Sequence, residues 1–348
     1  MRLKFKEVST EEQNYKKEQL KFYILLFSGI VGIFIAILLS LTIGNYHTSI
    51  SDVFNALINP KENQQVYNIV VYSRTPRLIG SILVGAALSI SGLCYQNLFK
   101  NKMASPDLLG VSAGASVGAV IAILSSFSFI FISMLSFAGG IIAVLITVFV
   151  SSLFKNENKS ISLLLSGIVV AGFMNSFVGL AKFLADDSVL VSITYWLLGG
   201  FTNVNFDQLM IATPIIILCI VFLILLRWRI TLLQNSDADA ISHGINVKRT
   251  RSIIIIFATI ATAVSVSISG TVSWVGLAIP NLINLIVKND SKKAIVLSVV
   301  YGSLFTVICD LLSRTLSNSE IPVGIITGFL GAIIFIIVLL VRRIKHAK

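Results

Sequence analysis

The sequence predicts an all-α integral membrane protein with ten transmembrane helices and both termini on the cytoplasmic side. Three observations carry that prediction. Of the 348 residues, 55% are hydrophobic and 12% charged, against roughly 25% charged in soluble domains, and the mean hydropathy is +0.91. Apolar runs long enough to cross a hydrocarbon core, about 20 residues, recur along the chain. Lysine and arginine are dense in alternate loops, as expected where cytoplasmic loops are enriched in them.

Taken in order, the first 21 residues, MRLKFKEVSTEEQNYKKEQLK, are polar and mixed in charge. No small-residue cleavage site follows the next apolar stretch, so the first helix is expected to be retained behind a cytoplasmic tail at 1–21. Spans are predicted at 22–43, 78–99, 108–126, 130–153, 161–184, 208–228, 251–268, 272–288, 294–313 and 321–341, within one membrane domain at 22–341. The stretch SVLVSITYWLLGGF at 188–201 is too short to span and ends in Gly-Gly, so it reads as an interfacial helix. Its Tyr195 and Trp196 suit the aromatic belt at a membrane boundary. Pro280 interrupts the eighth span, which is expected to be broken or tilted. Pro76 in SRTPRLIG (73–80) biases Thr75 away from helix and is expected to start the second span at Arg77.

All 27 lysines and arginines fall on the inner side except Lys61, Arg74, Arg77, Lys182 and Arg314. Counting 188–201 as a further span would put the basic tail RRIKHAK, in 342–348, outside. The net charge of +11 is thus an orientation signal directed at anionic lipid; it gives no reason to expect a nucleic-acid partner. Cys94, Cys219 and Cys309 lie within predicted spans without metal-ligand spacing, and His47, His243 and His346 are scattered. Neither a metal site nor a cofactor is expected.

The predicted spans hold almost no ionisable residues, which argues against a stand-alone secondary transporter with ion-coupling groups at mid-membrane. Asp310 lies four residues before Arg314, close enough to pair on one helical face, and Lys182 stands likewise to Asp186. No G-x-x-x-x-G-K-[ST] occurs, so the chain is not expected to hydrolyse nucleotides. Gly110, Gly114 and Gly118 form a small-residue stripe, and Gly324 and Gly328 repeat it; such stripes pack helices closely or line a pathway. LSISG at 88–92 and VSISG at 266–270 are a faint internal echo. The polar segment NSDADAISHGINVKR (235–249) is expected to form a short helix opened by Asp237 and Asp239 and ended by Gly244. It lies in the largest inner loop, at about 229–250, where a separate ATPase would press.

Several motifs carry a resemblance: RTPR at 74–77, VGAALSISGLCYQNLFKN at 84–101, SPDLLGVSAGAS at 105–116, LLLSG at 163–167, YWLLGG at 195–200, GTVSWVGLAIPN at 270–281, and CDLLSR with EIPVGIITGFLGA at 309–332. On these the chain resembles the FecCD-type permeases of binding-protein-dependent ABC importers for iron-siderophores, heme and vitamin B12. The resemblance implies a type II importer fold and pairing with a second permease subunit around a central pathway. A cytoplasmic ATPase dimer and an extracytoplasmic solute-binding protein would be the partners, with an iron(III)-siderophore as cargo ahead of heme or cobalamin. It assigns Arg74, Arg77 and Arg314 to docking of the binding protein. ATPase coupling falls to Asp237, Asp239, Ala240, Ile241, His243 and Gly244, and the inner gate to Ser160 and Ile161. The chain departs from the family pattern at Asn101 to Ala104, at His243, and at Asn281 and Asn284, all in or near predicted inner loops.

Overall fold

The computed structural model describes residues 2–346 apart from 45, 47, 62, 155–158, 288, 289 and 318, and every regular element among the described residues is helical. Helix α1 (Arg2–Thr42) runs unbroken from the polar residues into the first apolar run. Helix α2 (Ile50–Ile58) is opened by a reciprocal Ser49–Asp52 capping box, which satisfies two otherwise unpaired N–H groups. After α3 (Gln64–Asn68) a wide, π-type turn at Ile69–Arg74 leads straight into α4 (Thr75–Leu98).

The helical path is therefore continuous from Gln64 to Leu98, which corrects the expectation that Pro76 starts the span. A proline inside a helix lacks a donor and crowds the carbonyl four residues back. Here the turn is widened instead: the N–H of Thr75 reaches Val70 O, and its hydroxyl donates to the same oxygen at 2.8 Å.

A 3-10 turn at Pro106–Leu109 precedes α5 (Val111–Leu124), joined by Gly110 at φ 78°. That left-handed backbone suits glycine, so Gly110 is a corner rather than the first member of a stripe. The chain continues through α6 (Phe129–Ser152), α7 (Lys159–Leu184), α8 (Asp187–Leu198), α9 (Phe206–Leu225), α10 (Arg227–Asn235), α11 (Asp237–Ser242), α12 (Val247–Ser269), α13 (Val275–Ile286), α14 (Ser291–Thr315) and α15 (Val323–His346).

Among the described residues, eight stretches are long and apolar enough to cross a membrane, and they fall at eight of the ten predicted spans. The other two, at 108–126 and 272–288, are the 14-residue α5 and the 12-residue α13. At 1.5 Å per residue neither alone reaches across about 30 Å. Both are largely buried among longer helices, where short elements are tolerated at membrane depth. Helix α13 is short, starting at a left-handed Trp274, and it runs through Pro280 without breaking. The predicted interfacial helix is α8.

Almost every residue of α4 is buried. Gly85 faces Gly302 of α14 and Gly92 faces Gly276 of α13 so closely that a Cβ on either would overlap backbone. Thr306 donates to Ser81 O at 2.7 Å, and Tyr95 and Thr259 share a 2.8 Å hydroxyl contact, tying α14 and α12 to α4. On α5, Gly114 and Gly118 meet the α6 backbone at Gly139 and Leu135, and Gly324 meets Leu198 O. Gly328 has open space around it.

That contrast predicts Gly118→Ala to be destabilising, by about 1–3 kcal/mol for overpacking, and Gly328→Ala to be near neutral. Thermal unfolding in detergent separates the two; equal melting temperatures would remove the packing role of Gly118.

Candidate functional site

At one end of the bundle the three arginines singled out by the sequence lie together, but they turn inward. Arg74, Arg77 and Arg314 are 4%, 6% and 5% exposed. Arg77 donates through Nε to Asp310 at 2.6 Å, through Nη1 to Glu320 at 2.8 Å, and through Nη2 to Ser313 at 3.0 Å. Arg314 pairs with the other Asp310 oxygen at 3.2 Å and donates to the Ser40 hydroxyl at 2.7 Å. Arg74 donates to Leu41 O, Thr48 Oγ1 and Tyr46 O, capping the C-terminal end of α1.

The guanidiniums that the resemblance assigns to docking are thus internal ties. The physical reason lies in their tertiary partners: an α-helix ends in unpaired carbonyls, and a buried carboxylate requires paired cations. Asp310 and Arg314 do pair as their spacing implied, whereas Lys182 and Asp186 form no ion pair with each other.

Beside the cluster a cavity of about 890 Å³ is walled by α8, the segment after it, the end of α12 and residues 319–323. Its lining is mostly neutral, with hydroxyls of Ser128, Ser188, Ser192 and Thr202, the amide of Asn203, and the ring of Trp196. Arg77 and Glu320 are its charged residues, and they neutralise each other. Such a wall can hydrogen-bond an oxygen-rich solute without selecting for charge. Glu320 joins its mouth together, since Thr202 donates to the same carboxylate oxygen that Arg77 reaches, at 2.8 Å.

The back of the cavity is a backbone crossing. Gly199 (φ 69°) and Gly270 (φ 66°) both take left-handed conformations. Gly200 N–H donates to Ser269 O at 2.8 Å, and a Cβ on Gly270 would overlap Trp196 O. The ends of α8 and α12 and the start of α15 meet there with no side chain between them.

At the far end of α4, about 35 Å away at 1.5 Å per residue, Asp237 opens α11 with its carboxylate 2.8 Å from Arg251 and 3.5 Å from Lys100. The Ser236 hydroxyl accepts from Asp239 N–H, and Gly244 ends the turn at φ 74°, so the predicted short helix is present. Ala240 is buried, while Ile241 and His243 face outward. Nearby, Asn281 is fully buried, donates to Lys102 O at 2.7 Å and accepts from Arg342 at 2.9 Å.

Elsewhere, α15 exposes Phe329 beside open space at Gly328, and α7 presents an apolar face that includes Phe173 and Phe183, with open space at Gly172 and Gly179. Ile161 is exposed at the start of that face; the side chain of Ser160 lies outside the described residues. Glu320 opens the EIPVGIITGFLGA motif, and no role for it is evident from the sequence. Its signal was being an acid just before a proline-led helix in a chain poor in acids.

The FecCD transport family matches the chain over residues 32–342. An iron chelatin transport system permease protein of Helicobacter pylori is 35% identical over 297 residues, covering 85% of this chain and 90% of its own. A cobalamin import system permease protein of Halobacterium salinarum is 33% identical over 280 residues, covering 80% and 74%. Among solved structures, an inward-facing conformation of a metal-chelate type ABC transporter superposes with a TM-score of 0.81 at 28% identity, covering 91% of this chain and 98% of that one.

Two predictions follow from the arginine cluster. Asp310→Asn keeps the shape but leaves two buried guanidiniums without their shared counter-charge, and should cost about 3–5 kcal/mol in thermal unfolding; an unchanged melting temperature would overturn the clasp. Glu320 gives a pH signature. Burial alone would raise its carboxyl, but the charge and hydrogen bond of Arg77, with Thr202, outweigh burial and hold it below the ordinary value. A carboxyl depressed on folding stabilises above its unfolded pKa and loses that effect as pH falls through the folded pKa. The melting difference between wild type and Glu320→Gln should therefore be full near neutral pH and shrink on acidification below about 4.3. A difference that stays flat in acid would sink this assignment.

Proposed function

Because the chain belongs to the FecCD transport family, we propose that it is the permease subunit of a binding-protein-dependent ABC importer that passes an iron(III)-siderophore across the cytoplasmic membrane. The fold match to a metal-chelate type ABC transporter over nearly the whole of both chains carries this reading. The iron chelatin relative favours an iron chelate as cargo; the cobalamin relative keeps cobalamin, and with it heme, as the second reading.

In this reading ten helices cross, α5 and α13 being short ones enclosed by protein, and both termini are cytoplasmic, as the lysine and arginine distribution supports. The cavity end faces outward. Arg74, Arg77 and Arg314 brace this end from within, and the surface they shape is where acidic lobes of a solute-binding protein would dock. The neutral cavity wall suits a solute that is handed over and released rather than held. The exposed apolar faces of α7 and α15 would meet a second permease subunit, with Ser160 and Ile161 near the inner gate of the shared pathway.

Helix α11 is the contact for a separate ATPase dimer: Asp237 is braced by Arg251 and Lys100, Ala240 anchors the helix, and Asp239, Ile241, His243 and Gly244 complete its outward surface. Uptake of iron(III)-siderophore into vesicles holding the complete transporter should require ATP and stop when the ATPase loses its catalytic carboxylate. Uptake that continued would favour a transporter working alone. Ile241→Asp, an exposed change that leaves the Asp237 brace intact, should weaken ATPase association by roughly 30-fold or more, as for an interface anchor of 2 kcal/mol, without lowering the melting temperature. Unchanged co-purification would remove α11 from the contact.

A further inference from the structure

Helix α2 carries more apolar surface than the protein covers. At 3.6 residues per turn its apolar side chains occupy an arc of about 200°, whereas Ser51, Asp52 and Asn55 fill the remainder. Only one edge of that arc is buried: Val53 and Ala56 pack with Val66, Val70, Leu41 and Tyr67. The other edge, Ile50, Phe54 and Ile58 at four-residue spacing, is 65%, 65% and 63% exposed. Three sectors result: one on protein, one polar, and one apolar and largely uncovered by the described residues.

The height of α2 says what covers the third sector. Its protein contacts are with Leu41 in the last turn of the α1 span and Val70 near the start of the span that ends at Leu98. Arg74 fixes that height by bonding Leu41 O, Tyr46 O and Thr48 Oγ1, and so pins the connection between α1 and α2. Tyr67, Tyr72 and Phe206 form a chain of edge-on rings at the same end, as aromatic side chains do at a membrane boundary. On the α1 span itself, Phe34 and Ile35 are likewise exposed.

We propose that α2 is an interfacial helix whose Ile50, Phe54 and Ile58 edge is buried in lipid, at the depth of about 5–10 Å typical of such helices. Val53 and Ala56 then face the bundle, and Ser51, Asp52 and Asn55 face water. The occupant is the bilayer rather than a protein. This inference requires only that the chain spans a membrane and is independent of what it carries.

The test uses the full chain in phosphatidylcholine vesicles and the emission gained by one added tryptophan over the parent protein. Phe54→Trp should be blue-shifted, lose emission when the vesicles contain dibrominated phosphatidylcholine, and resist aqueous iodide. Asn55→Trp, on the polar sector, should show the opposite pattern. Should Phe54→Trp fail to insert, Ile58→Trp reports on the same edge. Iodide quenching of the Phe54 and Asn55 variants to the same extent would overturn the proposal. Shielding of Phe54→Trp that appears only when a soluble partner is added would overturn it in favour of a protein interface.

Discussion

Apolar side chains meet lipid about as favourably as they meet one another, so helices in hydrocarbon are held where small residues let backbones touch and hydroxyls bridge them. Helix α4 lives under that constraint on two sides, with Gly85 against Gly302 and Gly92 against Gly276. Its serine-rich and threonine-rich neighbours add hydroxyl ties to carbonyls of the opposing helices. The rest of the bundle is arranged around this buried axis: α12, α13 and α14 against it directly, and α5 and α6 as a second glycine-packed pair.

The ionic cluster is the polar counterpart of that packing. A guanidinium in a low-dielectric setting must direct its donors at acceptors, and Asp310 serves two of them from a single buried carboxylate. The remaining donors go to hydroxyls and to the carbonyls left unpaired where α1 ends. One cluster thus fastens α1, α4 and α14 at a single level. Through Glu320 it also reaches the loop after α8 and the approach to α15, so the mouth of the cavity is set by the same ties that hold the helices.

Much of this was legible in the sequence because membrane crossing imposes a length and a polarity that any window can detect. The long spans, the short α8 and the capped α11 followed from apolar runs, a short Gly-terminated stretch, and acids ahead of a glycine. The departures share a cause. The inward turn of Arg74 and Arg77, the widened turn before Pro76 and the corner at Gly110 are set by tertiary partners such as Leu41, Val70 and Asp310, which lie far away in sequence or invite no such role locally. Likewise, Gly118 and Gly328 look alike in a stripe, and only the neighbouring helix decides that one is packed and the other open. The cavity was invisible for the same reason, being assembled from five separated segments with no motif of their own.

The backbone crossing of Gly199, Gly270 and Gly324 has an evolutionary consequence. Main-chain atoms fix where α8, α12 and α15 meet, while the chemistry of the cavity is written in side chains that project away from that junction. Position and selectivity therefore reside in different atoms. A single exchange at Ser192 or Asn203 alters the chemistry of the wall without disturbing the frame, so descendants of this architecture can vary the cavity in small steps while inheriting the junction whole.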